Sequence, residues 1–271
     1  MNVLIKEFKP AGELSPYVVS FWEGNFNINN SPLLTQRVVP NGFVEIIFHI
    51  SSLRCNLFKD CEWSESPPYT IIGLHTQPYI VRFSGCVQVF GIRLKPEGIY
   101  NLFKIPSTVF NASHENLQDV LGSEFNTFCR QLCEADETAT RIALTERYLL
   151  KSVRKNAIDL NYVHRAAEII RSRKGLIVMD ELSDEVCISR RQLERGFSAN
   201  LGISPKHYMR LSRVNEVHKK LLREHDVNLM DMSYYCGYSD QAHFIREFKN
   251  FTGLAPRIFM RNRQEFIVNA A

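Results

Sequence analysis

The chain has no long apolar run. Nowhere in its 271 residues is there anything near the ~18 consecutive apolar residues that a membrane-spanning helix needs, so that class is set aside. The opening segment, MNVLIKEFKP, lacks the apolar stretch of a secretory signal, and a cytoplasmic location is expected. Metal-type cysteine spacing is missing too. Cys55, Cys61, Cys86, Cys129, Cys133, Cys187 and Cys236 include no Cys-x-x-Cys pair and no Cys/His quartet. Cys129 and Cys133 can share a helix face, but two thiols do not close a metal site. Packed free thiols are expected, with no metal and no cofactor. Charge of one sign is scarce as well: the net charge is only +4. All of that excess lies in residues 156–271, which hold 18 Lys/Arg against 14 Asp/Glu, whereas residues 1–155 balance. A polyanion partner therefore has to be argued from the arrangement of charges, not from their sum.

With 45% hydrophobic and 23% charged residues, the composition fits a globular chain of one to three domains. Tyr17–Phe26, Phe43–Ile50, Tyr69–Leu74, Tyr79–Ser84 and Val87–Leu94 are β-branched and aromatic, with turn residues between them. The expected fold is α+β. An antiparallel β-barrel or sandwich fills residues 1–112, and a helical hairpin and linker fill 113–155. An all-α domain with two helix-turn-helix motifs, near 179–201 and 229–252 and joined by a long helix, fills 156–271. Along Phe43–Ile50, Val44, Ile46, Phe48 and Ile50 face one way. Phe43, Glu45, Ile47 and His49 face the other, which reads either as outer surface or as the lining of a ligand pocket, with Glu45 and His49 as its polar groups. Leu117, Val120, Leu121, Phe125, Phe128 and Leu132, then Ile142, Leu149 and Val153, follow helical spacing. That stripe packs on the barrel or pairs with a second copy. Lys151–Asn161 reads as the linker.

The C-terminal part says nearly the same thing twice. Leu193, Arg195, Phe197, Gly202, Pro205, Tyr208 and Met209 recur 51 residues later as Phe244, Arg246, Phe248, Gly253, Pro256, Phe259 and Met260. Ser189 matches Ser239 at an offset of 50. Each copy reads as two helices about a tight turn. Ser189 with Gln192 three residues on forms a capping box, Gly202 and Gly253 stop the second helices, and Pro205 and Pro256 restart the chain. In a helix-turn-helix the outward side chains at the start of the second helix enter the major groove. Here these are Arg190, Arg191, Gln192, Glu194 and Arg195, then Gln241, Ala242, His243, Ile245 and Arg246, with Asp240 beside them. Arginine grips guanine, glutamine grips adenine and glutamate accepts from cytosine, so double-stranded DNA is the expected partner. Between the copies, Ser204–Glu224 carries a helical stripe through Tyr208, Leu211, Val214, Val217 and Leu221. Its rod of roughly 30 Å is close to the ~34 Å between successive major-groove faces.

The stretches SRRQLERGFSANLGISPKHYMRLSRVNEV and MSYYCGYSDQAHFIREFKNFTGLAP resemble the AraC/XylS family of bacterial transcription regulators, a likeness covering about Leu160–Arg263. It implies that Arg191 and Arg195 lie in one groove and Gln241 and Arg246 in the next, with Ser189, Ser239, His243 and Arg257 near phosphates. One departure is Gly196, where the family usually carries a large apolar residue. Glycine there costs roughly 1 kcal/mol against alanine and should soften the helix. SPYVVSFWE, VVPNGFVEIIF and VFGIRLKPEGIYNLFKIP resemble the family's β-rich, cupin-like sensor domains, which implies a small-molecule effector or a homodimer contact. RNA polymerase enters as a partner only through this resemblance. The rival reading is a cupin-type metal-dependent enzyme fused to a DNA-binding module. It needs two close histidines and a carboxylate, whereas the sequence has no His-x-His and His75 stands alone. A repair regulator that accepts alkyl groups on a zinc-held cysteine would need a second cysteine pair beside Cys129 and Cys133.

Overall fold

The structure, a computed structural model, describes residues 2–28, 33–155, 161–224 and 227–266. Among the described residues the strands are β1 (Asn2–Phe8), β2 (Val18–Asn27), β3 (Leu34–Val38), β4 (Val44–His49), β5 (Asn56–Lys59), β6 (Glu62–Glu65), β7 (Tyr69–Ile72), β8 (Tyr79–Phe83), β9 (Cys86–Leu94) and β10 (His114–Asn116). One sheet runs β1-β2-β9-β4-β7-β10 and the other β3-β8-β5-β6, with every named pairing antiparallel. Phe26, Ile28, Leu57, Val81, Phe83, Val87 and Val89 fill a core between them.

The alternation along β4 decides which faces are buried. Val44, Ile46 and Phe48 join a second core under the helical hairpin, while Glu45, Ile47 and His49 line a cavity between the sheets. The face that the sequence left open between surface and pocket is therefore pocket lining.

Helices follow: α1 (Ile99–Phe103), α2 (Leu117–Val120), α3 (Ser123–Glu134), α4 (Thr138–Lys155), α5 (Tyr162–Ser172), α6 (Met179–Glu185), α7 (Arg190–Leu201), α8 (Pro205–Arg223), α9 (Leu229–Tyr235), α10 (Gln241–Thr252) and α11 (Pro256–Arg261). The expected stripe from Leu117 to Leu132 is interrupted at Gly122, and Val120 is exposed. Phe125, Phe128, Cys129 and Leu132 of α3 pack with Phe48 of the barrel, as does Leu149 of α4. The barrel thus covers the apolar stripe that the sequence left open to a second copy. Of the linker expected at Lys151–Asn161, residues 151–155 continue α4 and Asn161 caps α5. Residues 156–160 lie outside the described residues.

The helical half has its own core, built on Leu193, Phe197, Leu211, Val214, Val217, Leu221, Phe244, Phe248 and Phe259, and Val39 and Leu74 of the β half reach into it. Helix α8 runs across the barrel rim. Asn215 Nδ2 donates to Asn41 O at 3.1 Å, and the Tyr208 hydroxyl donates to Gly42 O at 3.4 Å. Arg171 donates to that hydroxyl at 2.8 Å and also pairs with buried Glu97.

Candidate nucleic-acid interface

Each half of the repeat forms the two-helix plan for local reasons. In the first, α6 ends at a turn through Cys187 (φ 55°), and the Ser189 side chain accepts from Gln192 N–H at 3.3 Å, satisfying one of the free amides that open α7. In the second, α9 ends at a turn through Gly237 (φ 70°). The cap there is Asp240, whose Oδ1 accepts from His243 N–H at 2.7 Å. That amide holds the Asp240 carboxyl below its usual pKa. The sequence pairing of Ser189 with Ser239 is therefore corrected. Asp240 is the cap, at the same offset of 51 as the rest of the repeat, and the extra residue of the second copy falls between turn and cap. Ser239 is exposed, and its hydroxyl donates to Asp240 Oδ2 at 3.2 Å.

The apolar residues set the outward faces. Leu193 and Phe197 are fully buried on one side of α7, so Arg190, Arg191, Gln192, Glu194 and Arg195 are all exposed on the other. Arg191, Gln192 and Arg195 line one open groove beside Tyr162. Arg190 is diverted into an ion pair with Asp180 of α6. On α10, Phe244 and Phe248 are buried, which exposes Ala242, His243 and Arg246 and leaves Gln241 half-buried. Ile245 does not project freely, because it is half-buried and packs on the helical core. His243 Nε2 lies 3.8 Å from Glu247. Arg257 is exposed on the first turn of α11.

Glu247, only 3% exposed, ties the second copy to α8. Its carboxylate accepts from Arg210 Nε at 2.6 Å and from the Tyr238 hydroxyl at 2.9 Å. Gly196 is not a soft spot in α7. An added Cβ would lie 2.5 Å from the Tyr162 hydroxyl and 2.7 Å from Tyr162 Cε2, so glycine admits the ring that wedges α5 against α7. α8 is 19 residues long, or ~28 Å of rod between the copies.

In the β half, Glu45 is already fully engaged. It accepts from Trp22 Nε1 at 2.9 Å, Asn41 Nδ2 at 3.2 Å and Arg93 Nε at 2.7 Å, while Arg93 also reaches Glu7 at 2.6 Å. Burial opposes the Arg93 charge, but the two carboxylates outweigh it and hold its pKa above the ordinary value. His49 Nε2 faces Cys55 Sγ at 3.4 Å, and its Nδ1 has no hydrogen-bond partner among the described residues. Burial lowers His49 and His75 to about 4 each, so both are neutral near pH 7. The cavity these residues line holds about 80 Å³. Among the described residues, no three His, Cys, Asp or Glu side chains gather as a metal ion would require. No described helix is long and apolar enough to cross a membrane.

Two copies of a turn-linked helix pair, joined by one long helix and presenting exposed arginines within the first two turns of each second helix, define a tandem helix-turn-helix domain. Residues 182–262 match the family described as a helix-turn-helix domain, and residues 6–116 match a domain of unknown function. The chain is 35% identical over 81 residues to the HTH-type transcriptional regulator ArgR of Pseudomonas aeruginosa, covering 30% of this chain and 24% of that one. It is 30% identical over 137 residues to the HTH-type transcriptional activator RhaS of Escherichia coli, covering 48% and 49%. The chain thus spans about half the length, or less, of these curated relatives. Among solved structures, ToxT of Vibrio cholerae aligns over 90% of this chain and 98% of its own at 13% identity and a TM-score of 0.49. An AraC-type regulator from Chromobacterium violaceum aligns over 38% and 91% at 27% identity and a TM-score of 0.34. Residues 182–262 of this chain thus form a helix-turn-helix domain, and the AraC-type regulators are among the proteins it is similar to.

Proposed function

We propose that the protein is a sequence-specific DNA-binding transcription regulator whose β half, residues 1–112, responds to a small molecule. The observation that carries the DNA reading is the in-register repeat. Arg195 and Arg246 stand at equivalent positions in the second turns of α7 and α10, both exposed, each on a helix whose opposite face is buried. Arg191, Gln192, Arg195, Gln241 and Arg246 read bases in this view, and Ser189, Ser239, His243 and Arg257 lie near phosphates. The effector enters the cavity lined by Glu45 and His49. That space is smaller than the ~150 Å³ that takes a benzene ring, so the lining moves aside as the ligand enters. Contact with RNA polymerase and pairing of two copies rest on resemblance alone, and a cytoplasmic site of action goes with the DNA target.

The test is selection of bound duplexes from a random pool, followed by titration of variants. Arg195→Ala or Arg246→Ala should cost about 1–3 kcal/mol on the selected duplex and relax preference at one base. Arg257→Ala should weaken all duplexes alike and lower the salt slope by about one. A pool that yields no enriched sequence, or equal losses for all three variants on selected and random DNA, overturns this reading.

A further inference from the structure

The two recognition helices end alike, and both ends touch the β half. α7 stops at Gly202 (φ 73°) and α10 at Gly253 (φ 79°), the left-handed closure that glycine adopts without steric cost. A helix leaves its last carbonyls without partners inside the helix. On α7, two of these are met by side chains from the β half: Ser107 Oγ donates to Asn200 O, and Asn111 Nδ2 donates to Leu201 O at 2.7 Å. The fit is close enough that a Cβ on Gly202 would lie 2.1 Å from Asn111 Nδ2. On α10, Gly253 faces the Arg37 guanidinium. An added Cβ would lie 3.0 Å from Arg37 Nη1 and 3.3 Å from Pro78 Cγ. A cation suits the negative end of a helix. The Arg37 backbone also bridges to Phe266, just beyond α11.

We propose that the β half acts as a jig for the two readers: Ser107 and Asn111 hold the C-terminal end of α7 by hydrogen bonds and Arg37 packs against that of α10, so one rigid barrel sets the distance and phase between them. This rests on the reading of the C-terminal half as DNA-binding. The holds are at the far ends of the helices. The base-reading residues occupy the first two turns of α7 and α10, about 10–18 Å away at ~1.5 Å per residue, so the jig positions without covering the reading face. Ser107, Asn111 and Arg37 are positioning residues.

Both holds adjoin the barrel cavity. Val38, next to Arg37, lines it, as does Tyr79, next to Pro78. Gly73, a third lining residue, sits against the turn before β10 that carries Asn111: its N–H donates to Ser113 O at 3.2 Å, and Ala112 N–H donates to Leu74 O at 3.2 Å. A ligand that displaces these walls acts on both holds at once and changes the reader spacing that the protein prefers.

The experiment uses the full chain on its selected duplex and on versions with one base pair inserted or removed between the half-sites. Asn111→Ala and Ser107→Ala should each lower the discrimination between native and altered spacing about three- to tenfold, as expected for a hydrogen bond lost from a positioning contact, and Arg37→Ala, which removes a packing contact, should lower it in the same direction. Affinity for random duplex should stay as in the wild type. Ser107→Thr, which keeps the hydroxyl, should restore discrimination, and that answers any concern that the alanine variants merely unfold. Unchanged spacing discrimination in all three alanine variants overturns the proposal. So does tighter binding by them to every duplex, which would make the contact a block on DNA. A wild-type chain that selects no sequence instead refutes the DNA reading on which the proposal stands.

Discussion

Gly196 offers a sharp test of how the first recognition helix is held. Replacing glycine by alanine within an unhindered helix gains about 1 kcal/mol. Here the new Cβ would meet Tyr162 at 2.5 and 2.7 Å. Overpacking of that kind costs typically ~1–3 kcal/mol. The ring would have to swing out, losing its packing on α7 and its hydrogen bond to Gln192 O at 3.3 Å. The net expectation for Gly196→Ala is a loss of about 1 kcal/mol. In a Tyr162→Ala background the obstacle is gone, and the same substitution should gain about 1 kcal/mol. The double-mutant cycle should therefore show a coupling of ~2 kcal/mol, within the range seen for residues in contact. Urea unfolding of the four proteins, followed by helical circular dichroism, measures it. Equal effects of Gly196→Ala in both backgrounds would refute the account of Tyr162 as the reason for glycine, and would return the position to a plain weak point of the helix.

Two further outcomes follow from buried polar groups. Glu247→Ala removes the acceptor shared by Arg210 and Tyr238. Because Arg210 is about one-third exposed, the cost should be ~2 kcal/mol, below the ~3–5 kcal/mol of a fully buried pair; an unchanged urea midpoint would show that the tie between α8 and the second copy is idle. His49, His75 and His218 sit near 4 and His114 near 3, each lowered first by burial. Each ordinarily titrates near 6.5, so between pH 6.5 and about 4 the unfolded chain binds protons that the folded chain does not, and stability should fall as pH falls through that window. Unfolding midpoints at pH 7, 6 and 5 read this, and His218→Phe should flatten the slope; a pH-independent midpoint would mean that these imidazoles are protonated in place.

The helical half was legible because its signals are local. Capping at Ser189, the glycine stops and the leucine–phenylalanine spacing are each read within one turn of helix, and the repeat doubles every signal. The start of the second copy shows the limit: Ser239 matches Ser189 by residue type while Asp240 supplies the cap, because serine and aspartate cap equally well and only backbone geometry separates neighbours. The central strands β2, β4, β7, β8 and β9 were readable from β-branched and aromatic runs. The strands β1, β3, β5, β6 and β10 were not, because edge or short strands such as Glu62–Glu65 bury little and so lack an apolar pattern. Contacts between the halves, such as Ser107 with Asn200 or Arg171 with Glu97, join residues more than 70 apart. No periodicity encodes such pairs. The role of Gly196 was equally hidden, since its cause is a tyrosine 34 positions upstream.

The one-residue difference between the copies has a further meaning. A symmetric dimer presents identical halves about a two-fold axis and cannot tell one end of its palindrome from the other. Here the copies follow one another along one chain, one opened by Ser189 and the other by Asp240, so the two halves are chemically distinct. A duplex held as proposed would therefore acquire a left and a right, and reversing the site would reverse everything that the bound molecule points toward.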